Sequence, residues 1–284
     1  MYNLKRTPFL RNKPKGFTLI EIMISLVISI ILIGATYQVF INQNKSYIIQ
    51  EEIVEMQQTL RGALVILERD IRLAGYDPQE ANKDNPNTYA ITTATDISFG
   101  FTADINENGD SPAANIPSPG ETEIFLYELY DPVVYQGSTV YSLTRTPPPP
   151  LGVRRAIGMN IEDLRFAYSY DADTNGNIDR SAGNNIIWAY PNLGTNTWFS
   201  IDDNDDGVID QADTPGGVDT GTPFNLADIR AVRVWILVRA DKPDSDYINS
   251  TTYVVGSNHF TPPANDHFRR VLLDITVKCR NMGM

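Results

Sequence analysis

The chain has 284 residues, 35 of them acidic and 23 basic, and a formal net charge of −12. An acidic surface of this kind repels phosphate backbones, so direct nucleic-acid binding by the protein as a whole is not expected. Because Cys279 is the only cysteine, no intrachain disulfide can form, and the apolar segment around it predicts a buried structural thiol.

The first predicted elements are a basic leader and an apolar helix. Five basic residues and no acidic one precede the apolar run: Lys5, Arg6, Arg11, Lys13 and Lys15. No formal charge occurs from Ile22 to Ile41, a length close to the ~20 residues that cross a bilayer core. The positive-inside rule then holds the N-terminus in the cytoplasm and exports the remainder. We predict a leader at 1–16, a membrane-spanning segment at 17–41 and an extracytoplasmic head.

Glu21 is unusual because it places a carboxylate at the start of the apolar run. An unpaired charge in a membrane costs about 3 kcal/mol on insertion scales, so a specific cationic partner is expected. The span itself contains no Lys or Arg. Cleavage between Gly16 and Phe17 would free an α-amine at Phe17, and the amine of a neighbouring subunit could neutralise Glu21. We therefore predict processing at Gly16 and Phe17, and a role in assembly for Glu21.

The segment from Gly16 to Glu21 resembles the type IV prepilin signal, in which a prepilin peptidase cuts after Gly and methylates the following Phe. The resemblance implies four partners: the peptidase, other major and minor pilins, the pilus assembly machinery and the inner membrane. It also implies a single-pass inner-membrane protein that moves to the pilus and cell surface on assembly. A secretory signal peptide or plain anchor is the alternative, but no small-residue cleavage site follows the apolar core.

An amphipathic second half of the helix is predicted to continue to residue 76. Apolar residues recur at steps of three and four from Ile49 to Ala74, which is the period of one apolar stripe. Charged residues, Asp70 among them, are assigned to the remaining surface. Gly75 and the following Asp77-Pro78 supply the stop signal. We expect the stripe to pack against a β-sheet.

The head at 77–284 is predicted to be one β-rich domain. A polar stretch at 79–88 predicts a loop, and Pro147–Pro150 predicts a stiff connector. Alternating β-branched and aromatic residues predict strands at 96–101, 122–129, 133–143, 161–170, 229–239 and 270–279. The predicted fold class is α+β, with a long N-terminal helix packed on an antiparallel sheet that carries long Asp/Asn-rich loops. The prepilin resemblance implies the type IV pilin fold.

Further segments resemble the PilW family of minor pilins. They are the helix end Leu67–Tyr76 and the head segments Ile161–Phe166, Ala231–Arg239 and Arg269–Asn281. The resemblance implies a low-abundance subunit that primes pilus assembly near the tip. Two alternatives stay open: a minor pseudopilin of type II secretion similar to GspJ, and a calcium-dependent tip adhesin or DNA-uptake pilin.

Two acidic loops have the ligand spacing of a calcium-binding loop, with Gly176 and Gly207 at position 6. The predicted Ca²⁺ ligands are Asp171, Asp173, Asn175, Asn177 and Asp179 in the first loop, and Asp202, Asn204, Asp206, Val208 through its carbonyl, Asp210 and Asp213 in the second. The first loop has Ala182 at position 12, where an acid is usual, so the second is predicted to be the better site. The alternative is a pair of solvated turns, which we prefer for a weaker run at 104–110.

No catalytic arrangement is evident in the sequence. The two histidines, His259 and His267, lie in or beside a Pro/Asn-rich stretch, and spacing identifies no partner base or nucleophile. We predict solvated loop histidines and a structural, non-enzymatic protein.

Overall fold

The structure is a computed structural model that describes residues 16–78, 91–105, 107, 124–135, 138–146 and 154–282. Residues 1–15 of the predicted leader, the predicted loop at 79–88, the connector at 147–150 and most of the acidic run at 104–110 lie outside these residues.

The described residues form one long helix, a short 3-10 helix at Leu226–Asp228 and twelve strands. Helix α1 spans Leu19–Ile71. The strands are β1 Ile91–Ala94, β2 Ser98–Thr102, β3 Ile124–Tyr135, β4 Ser138–Thr146, β5 Arg155–Tyr170, β6 Ala189–Asn192, β7 Thr197–Ser200, β8 Val218–Pro223, β9 Ile229–Arg239, β10 Tyr253–Val255, β11 Asn258–Phe260 and β12 Arg270–Lys278.

The chain divides into two compact units, residues 1–50 and 51–284, and α1 contributes to both. In the first unit the apolar side chains of α1 are exposed to the surroundings. An 18-residue window of this helix is long and apolar enough to cross a membrane, and none of it is buried. These properties fit the predicted span, because a helix that faces lipid on all sides is apolar all round.

The second unit is built on an antiparallel sheet in which the strand order departs from the chain order. Strands β1 to β5 pair in sequence, and β9 then pairs with β5 and β12 with β9. A shorter arm, β6 to β8, joins the end of β5 through the pair Tyr168 and Ala189. Strand β9 is therefore paired on both sides and lies one strand in from the edge that β12 forms. The predicted α+β arrangement is confirmed.

The second half of α1 packs its apolar stripe into the main core. Met56, Leu60, Leu67 and Ile71 are buried against aromatic and aliphatic side chains of the sheet. Full burial of a side chain of this size contributes about 1.5 to 3 kcal/mol, so the stripe fixes the helix face that meets the sheet.

Asp70 contradicts its predicted place on the charged surface, since it is only 1% exposed. Its carboxylate accepts hydrogen bonds from the Tyr127 hydroxyl at 2.5 Å and from Arg145 Nε at 2.7 Å. Arg69 Nη2 lies 2.9 Å from the other oxygen. The charge is tolerated in the core because these donors replace the water that burial removes.

The outer face of the sheet is also covered. Trp235 and Leu237 of β9 form a second buried cluster with Val255 of β10 and with Ile201. The β10–β11 hairpin supplies part of this cover. Strand β9 therefore has buried residues on both faces. In its sequence, Val and Ile alternate with a second set that contains both arginine and large apolar residues.

Several predicted boundaries were wrong. The proposed strand at 133–143 crosses a hairpin, because β3 ends at Tyr135 and β4 begins at Ser138. Helix α1 ends at Ile71, and i to i+3 bonds such as Leu73 N to Asp70 O continue the chain as tight turns to Gly75, which has a φ of 75°. His259 lies in β11 and not in a loop. Burial of Cys279 is confirmed.

Candidate functional site

The predicted processing site lies just before α1. Gly16 and Phe17 precede the helix in irregular backbone, and Phe17 is 87% exposed. Thr18 is the residue before the first helical position, Leu19. A peptidase that cuts after Gly16 would therefore meet an accessible, non-helical bond.

Glu21 forms a reciprocal capping arrangement with Thr18. Glu21 Oε2 accepts from the Thr18 backbone N–H at 2.7 Å and from the Thr18 hydroxyl at 2.8 Å, and Glu21 N donates to Thr18 Oγ1 at 3.3 Å. This is the capping box of a Thr-x-x-Glu sequence. These hydrogen bonds are local and come from uncharged donors, so the predicted cationic partner of Glu21 stays a prediction. Its charge is not neutralised by Thr18.

The first acidic loop gathers three carboxylates. The side chains of Asp171, Asp173 and Asp179 each place one carboxylate oxygen within 4.8 Å of the other two. Gly176 N donates to Asp171 at 3.0 Å, which folds position 6 of the loop over position 1. Three convergent carboxylates suit a hard cation such as Ca²⁺.

Asn175 and Asn177, the other predicted ligands, lie on the same turn. Asn175 N donates to Asp171 Oδ1 at 3.0 Å, and Asn177 N donates to Asn175 Oδ1 at 2.8 Å. The Asn175 side-chain oxygen accepts this backbone bond with one of its two lone pairs, so the other can still face a cation.

The second loop repeats the backbone of the first. Thr174 and Gly176 have φ of 55° and 85°, and the matching Asp205 and Gly207 have 59° and 84°. Gly207 N donates to Asp202 at 2.9 Å, which is the same position-6 to position-1 bond. The repeated spacing in the sequence therefore specifies a repeated turn.

The carboxylates of the second loop are arranged differently. Asp213 is 4% exposed, and its oxygens accept from Asp203 N and Asp210 N. Burial raises the pKa of Asp213, and the nearby Asp202 and Asp203 charges raise it further against the effect of these bonds. Within the described residues the acids of this loop do not form a three-carboxylate group. The geometry thus favours the first loop, the reverse of the predicted order.

Asn204 and Asp206 accept backbone bonds within the turn, from Asp206 N at 2.9 Å and Val208 N at 2.8 Å. Asp210 accepts from Ala212 N at 2.7 Å. One oxygen of Asp202 is enclosed without a hydrogen-bond partner, and an enclosed carboxylate oxygen of this kind is costly unless something binds it.

The two acidic loops are joined through Asp205. Its carboxylate accepts from Gly183 N at 2.7 Å, and its backbone oxygen accepts from Asn185 Nδ2 at 2.8 Å. Hydrogen bonds from Ser181 and Gly183 hold the pKa of Asp205 below its usual value. The segment that follows the first loop is therefore anchored on the second.

Comparisons with known proteins agree with the N-terminal and C-terminal parts of this description. Residues 11–37 match the prokaryotic N-terminal methylation motif, and residues 195–281 match the family described as type IV pilus-assembly protein W. The chain is a prepilin-like protein with a PilW segment. No curated protein sequence matches it.

A solved type IV-like pilin from Thermus thermophilus is similar to this prepilin-like chain at 12% identity and a TM-score of 0.35. The likeness covers 80% of this chain and 98% of that one. A similarity at this level does not support a fold assignment, which is based here on the helix and sheet described above.

Two residues of the prepilin-like protein near the first loop were missed in the sequence. Arg230, which is buried, lies 3.4 Å from Asp171 through Nη2. Burial raises the pKa of Asp228; Arg230 opposes this rise, and the charges of Asp171 and Asp179 add to it. Arg230 and Asp228 follow the end of the first loop by more than 45 positions in the chain, so the local spacing of residues could not predict that they lie beside it.

Proposed function

We propose that this protein is a minor pilin of the type IV pilus that prepilin peptidase cleaves between Gly16 and Phe17. The observation that carries the proposal is the presence of both a prepilin methylation motif, at 11–37, and a PilW segment, at 195–281, in one chain. Resemblance to PilW proteins supports a role in priming assembly near the tip. The pilus, other pilins and the inner membrane are its partners.

In this proposal Glu21 takes part in assembly. Both side-chain hydrogen bonds of Glu21 use Oε2, so Oε1 remains to accept from the Phe17 amine of a neighbouring subunit. The capping bonds orient the carboxylate at the first turn before that subunit arrives. A charge-assisted bond in a membrane is favourable because the carboxylate has no competing water there.

Calcium binding to the acidic loops is the second part of the proposal. Asp171, Asp173 and Asp179 would hold the ion in the first loop, and Asp202, Asp206 and Asp213 would contribute in the second. Ion binding to the folded form alone stabilises it by about 2.7 kcal/mol at a concentration 100 times the Kd. The ion would thus order long loops that no disulfide can hold.

Deletion and complementation in cells test the assembly role. Loss of surface pili with intact protein export supports the proposal, whereas the reverse pattern supports a pseudopilin. Glu21→Ala should give a processed protein that fails to enter pili, because the assembly contact is lost together with the capping bonds from Thr18. Glu51→Ala is the matched control, since Glu51 is an exposed acid of the same helix. Normal incorporation of Glu21→Ala would contradict the assembly mechanism.

Thermal unfolding with and without Ca²⁺ tests the second part. We expect calcium to raise the Tm of the full chain, and Asp173→Ala to remove much of this increase. Asp219→Ala is the control, because Asp219 is exposed on β8 outside both loops. A Tm that is unchanged by calcium would show that the loops are ordinary turns.

A further inference from the structure

A cleft of about 480 Å³ opens beside the β3–β4 hairpin of the second unit. Its walls come from β3, β4, the first part of β5 and the segment after β9. A smaller cavity adjoins it and reaches residues 52–59 of α1. Met159, Asn160, Arg239 and Asp241 line both cavities, so these four residues form the floor and rim that the two share.

Arg239 is a buried cation in which two of the three guanidinium nitrogens have no hydrogen-bond partner. Its side chain is 3% exposed, and Nε and Nη1 have no hydrogen-bond partner. The nearest carboxylate oxygen, Glu162 Oε1, is 3.8 Å from Nη1. The Phe268 ring lies 4.0 Å from the guanidinium carbon. Burying guanidinium nitrogens without hydrogen bonds is costly, and this makes an incoming acceptor favourable.

The carboxylates that could satisfy Arg239 are already occupied. Arg270 binds Glu162 through two nitrogens and Asp266 through two, and the Ser138 hydroxyl also donates to Glu162. Arg270 thus takes both buried acids in bidentate pairs, the strongest geometry for this contact. Arg239 is left with the 3.8 Å ion pair to Glu162 and the contact with the Phe268 ring, and its Nε and Nη1 donate no hydrogen bond.

The backbone around the cleft is irregular. Asp131 and Asn160, which line it, have left-handed φ values of 59° and 58°. Strand pairing also shifts register at three places beside it, between Tyr130 and Val133, between Tyr141 and Leu143, and between Ile161 and Asp163. Bulges and left-handed residues concentrate at binding sites, where they re-aim side chains and end pairing.

We propose that this cleft receives an acidic side chain of a neighbouring pilin, with the carboxylate bound by Arg239. The inference rests on the proposed function, because it names a contact made during assembly. Lys242 adds a second positive charge, and Met159 and Val133, which are 64% and 54% exposed, form an apolar rim. Buried arginines surrounded by apolar contacts are typical energetic centres of interfaces.

Two acids in the lining do not prevent this binding. Asp131 and Asp241 are exposed, so water and salt screen their repulsion, whereas the buried Arg239 is screened much less. The exposed Lys242 lies next to Asp241 in the chain and offsets its charge. The balance favours a single carboxylate that reaches the floor of the cleft.

Photo-crosslinking of the full chain in pilus-forming cells tests the inference. The crosslinking residue replaces Met159 at the rim, or Leu193 in the control, since Leu193 is similarly exposed at 69% but lies on the β6–β7 connection. We expect position 159 alone to crosslink an identified pilin. Changing the acid in the crosslinked peptide of that pilin to its amide should lower the yield about tenfold.

Variants of this chain complete the test. Arg239→Gln and the exposed Lys242→Gln should each reduce the crosslink, while the buried Cys279 remains unreactive to thiol reagents and so reports an intact fold. Equal yields from positions 159 and 193, or a yield insensitive to both variants and to the partner acid, would overturn the inference. Failure of the proposed function is distinguishable, since it would appear as normal pili in cells that lack this protein.

Discussion

Asp70 links the buried face of α1 to strands β3 and β4 of the sheet, so replacing this residue should destabilise the head strongly. Asp70→Ala leaves the Tyr127 hydroxyl and the Arg145 guanidinium without their shared acceptor. Breaking a buried ion pair costs about 3 to 5 kcal/mol. Because Arg145 is 22% exposed and can regain water, we expect a loss near the lower limit, about 3 kcal/mol.

The buried thiol of Cys279 provides the assay. Full-length protein is incubated with a thiol reagent in increasing urea, and the labelled fraction gives the free energy of unfolding. Glu68→Ala is the matched control, because Glu68 lies on the same helix and pairs with Arg72 at the surface. An exposed pair contributes about 0.5 kcal/mol. The reasoning would be refuted if Asp70→Ala cost no more than Glu68→Ala.

Three further predictions follow from the acidic loops and the thiol. Gly207→Ala should destabilise the protein more than Gly176→Ala. Both substitutions strain a left-handed residue by about 1 kcal/mol, but only a Cβ at 207 would come within 2.7 Å of Asn185 Oδ1. Equal losses of stability in thermal unfolding would show that this contact is harmless. Burial raises the pKa of Cys279 to about 12, so the folded protein should resist alkylation at neutral pH, and rapid labelling would contradict the packing. The raised pKa of Asp213 means that this carboxylate takes up a proton at a higher pH than a free Asp, whereas calcium binds the ionised form. The calcium-induced rise in Tm should therefore shrink as the pH falls from neutral. A rise in Tm that is independent of pH would exclude Asp213 as a ligand.

The sequence predicted elements whose signal is local. The bounds of β9 were correct because β-branched residues alternate along most of the strand, at Val232, Val234, Ile236 and Val238. The apolar stripe of α1 was also visible, and it contained an unused clue: Asp70 follows Leu67 by three positions and precedes Ala74 by four, which places it on the buried face. The hairpin between β3 and β4 was missed because Val133 and Val134 continue the apolar pattern toward the turn.

What could not be predicted depends on contacts between distant parts of the chain. The calcium-loop spacing gave the turns, but not the link from Asp205 to Gly183 or the position of Arg230 behind Asp171. The Arg239 cleft is lined by residues of several strands, and Arg239 has no hydrogen bond to Glu162 because Arg270 binds that carboxylate. The spacing of residues along the chain does not predict which of two arginines binds a carboxylate that lies close to both.

The central claim is that cleavage frees the amine that Glu21 needs in the fibre. Mass spectrometry of the protein recovered from pili, compared with Gly16→Ala and Glu21→Ala variants, tests it most directly. We predict a mature N-terminus at Phe17 carrying a methyl group, no incorporation of Gly16→Ala, and cleaved but unincorporated Glu21→Ala. Pili that contain the protein with residues 1–16 still attached would contradict the account.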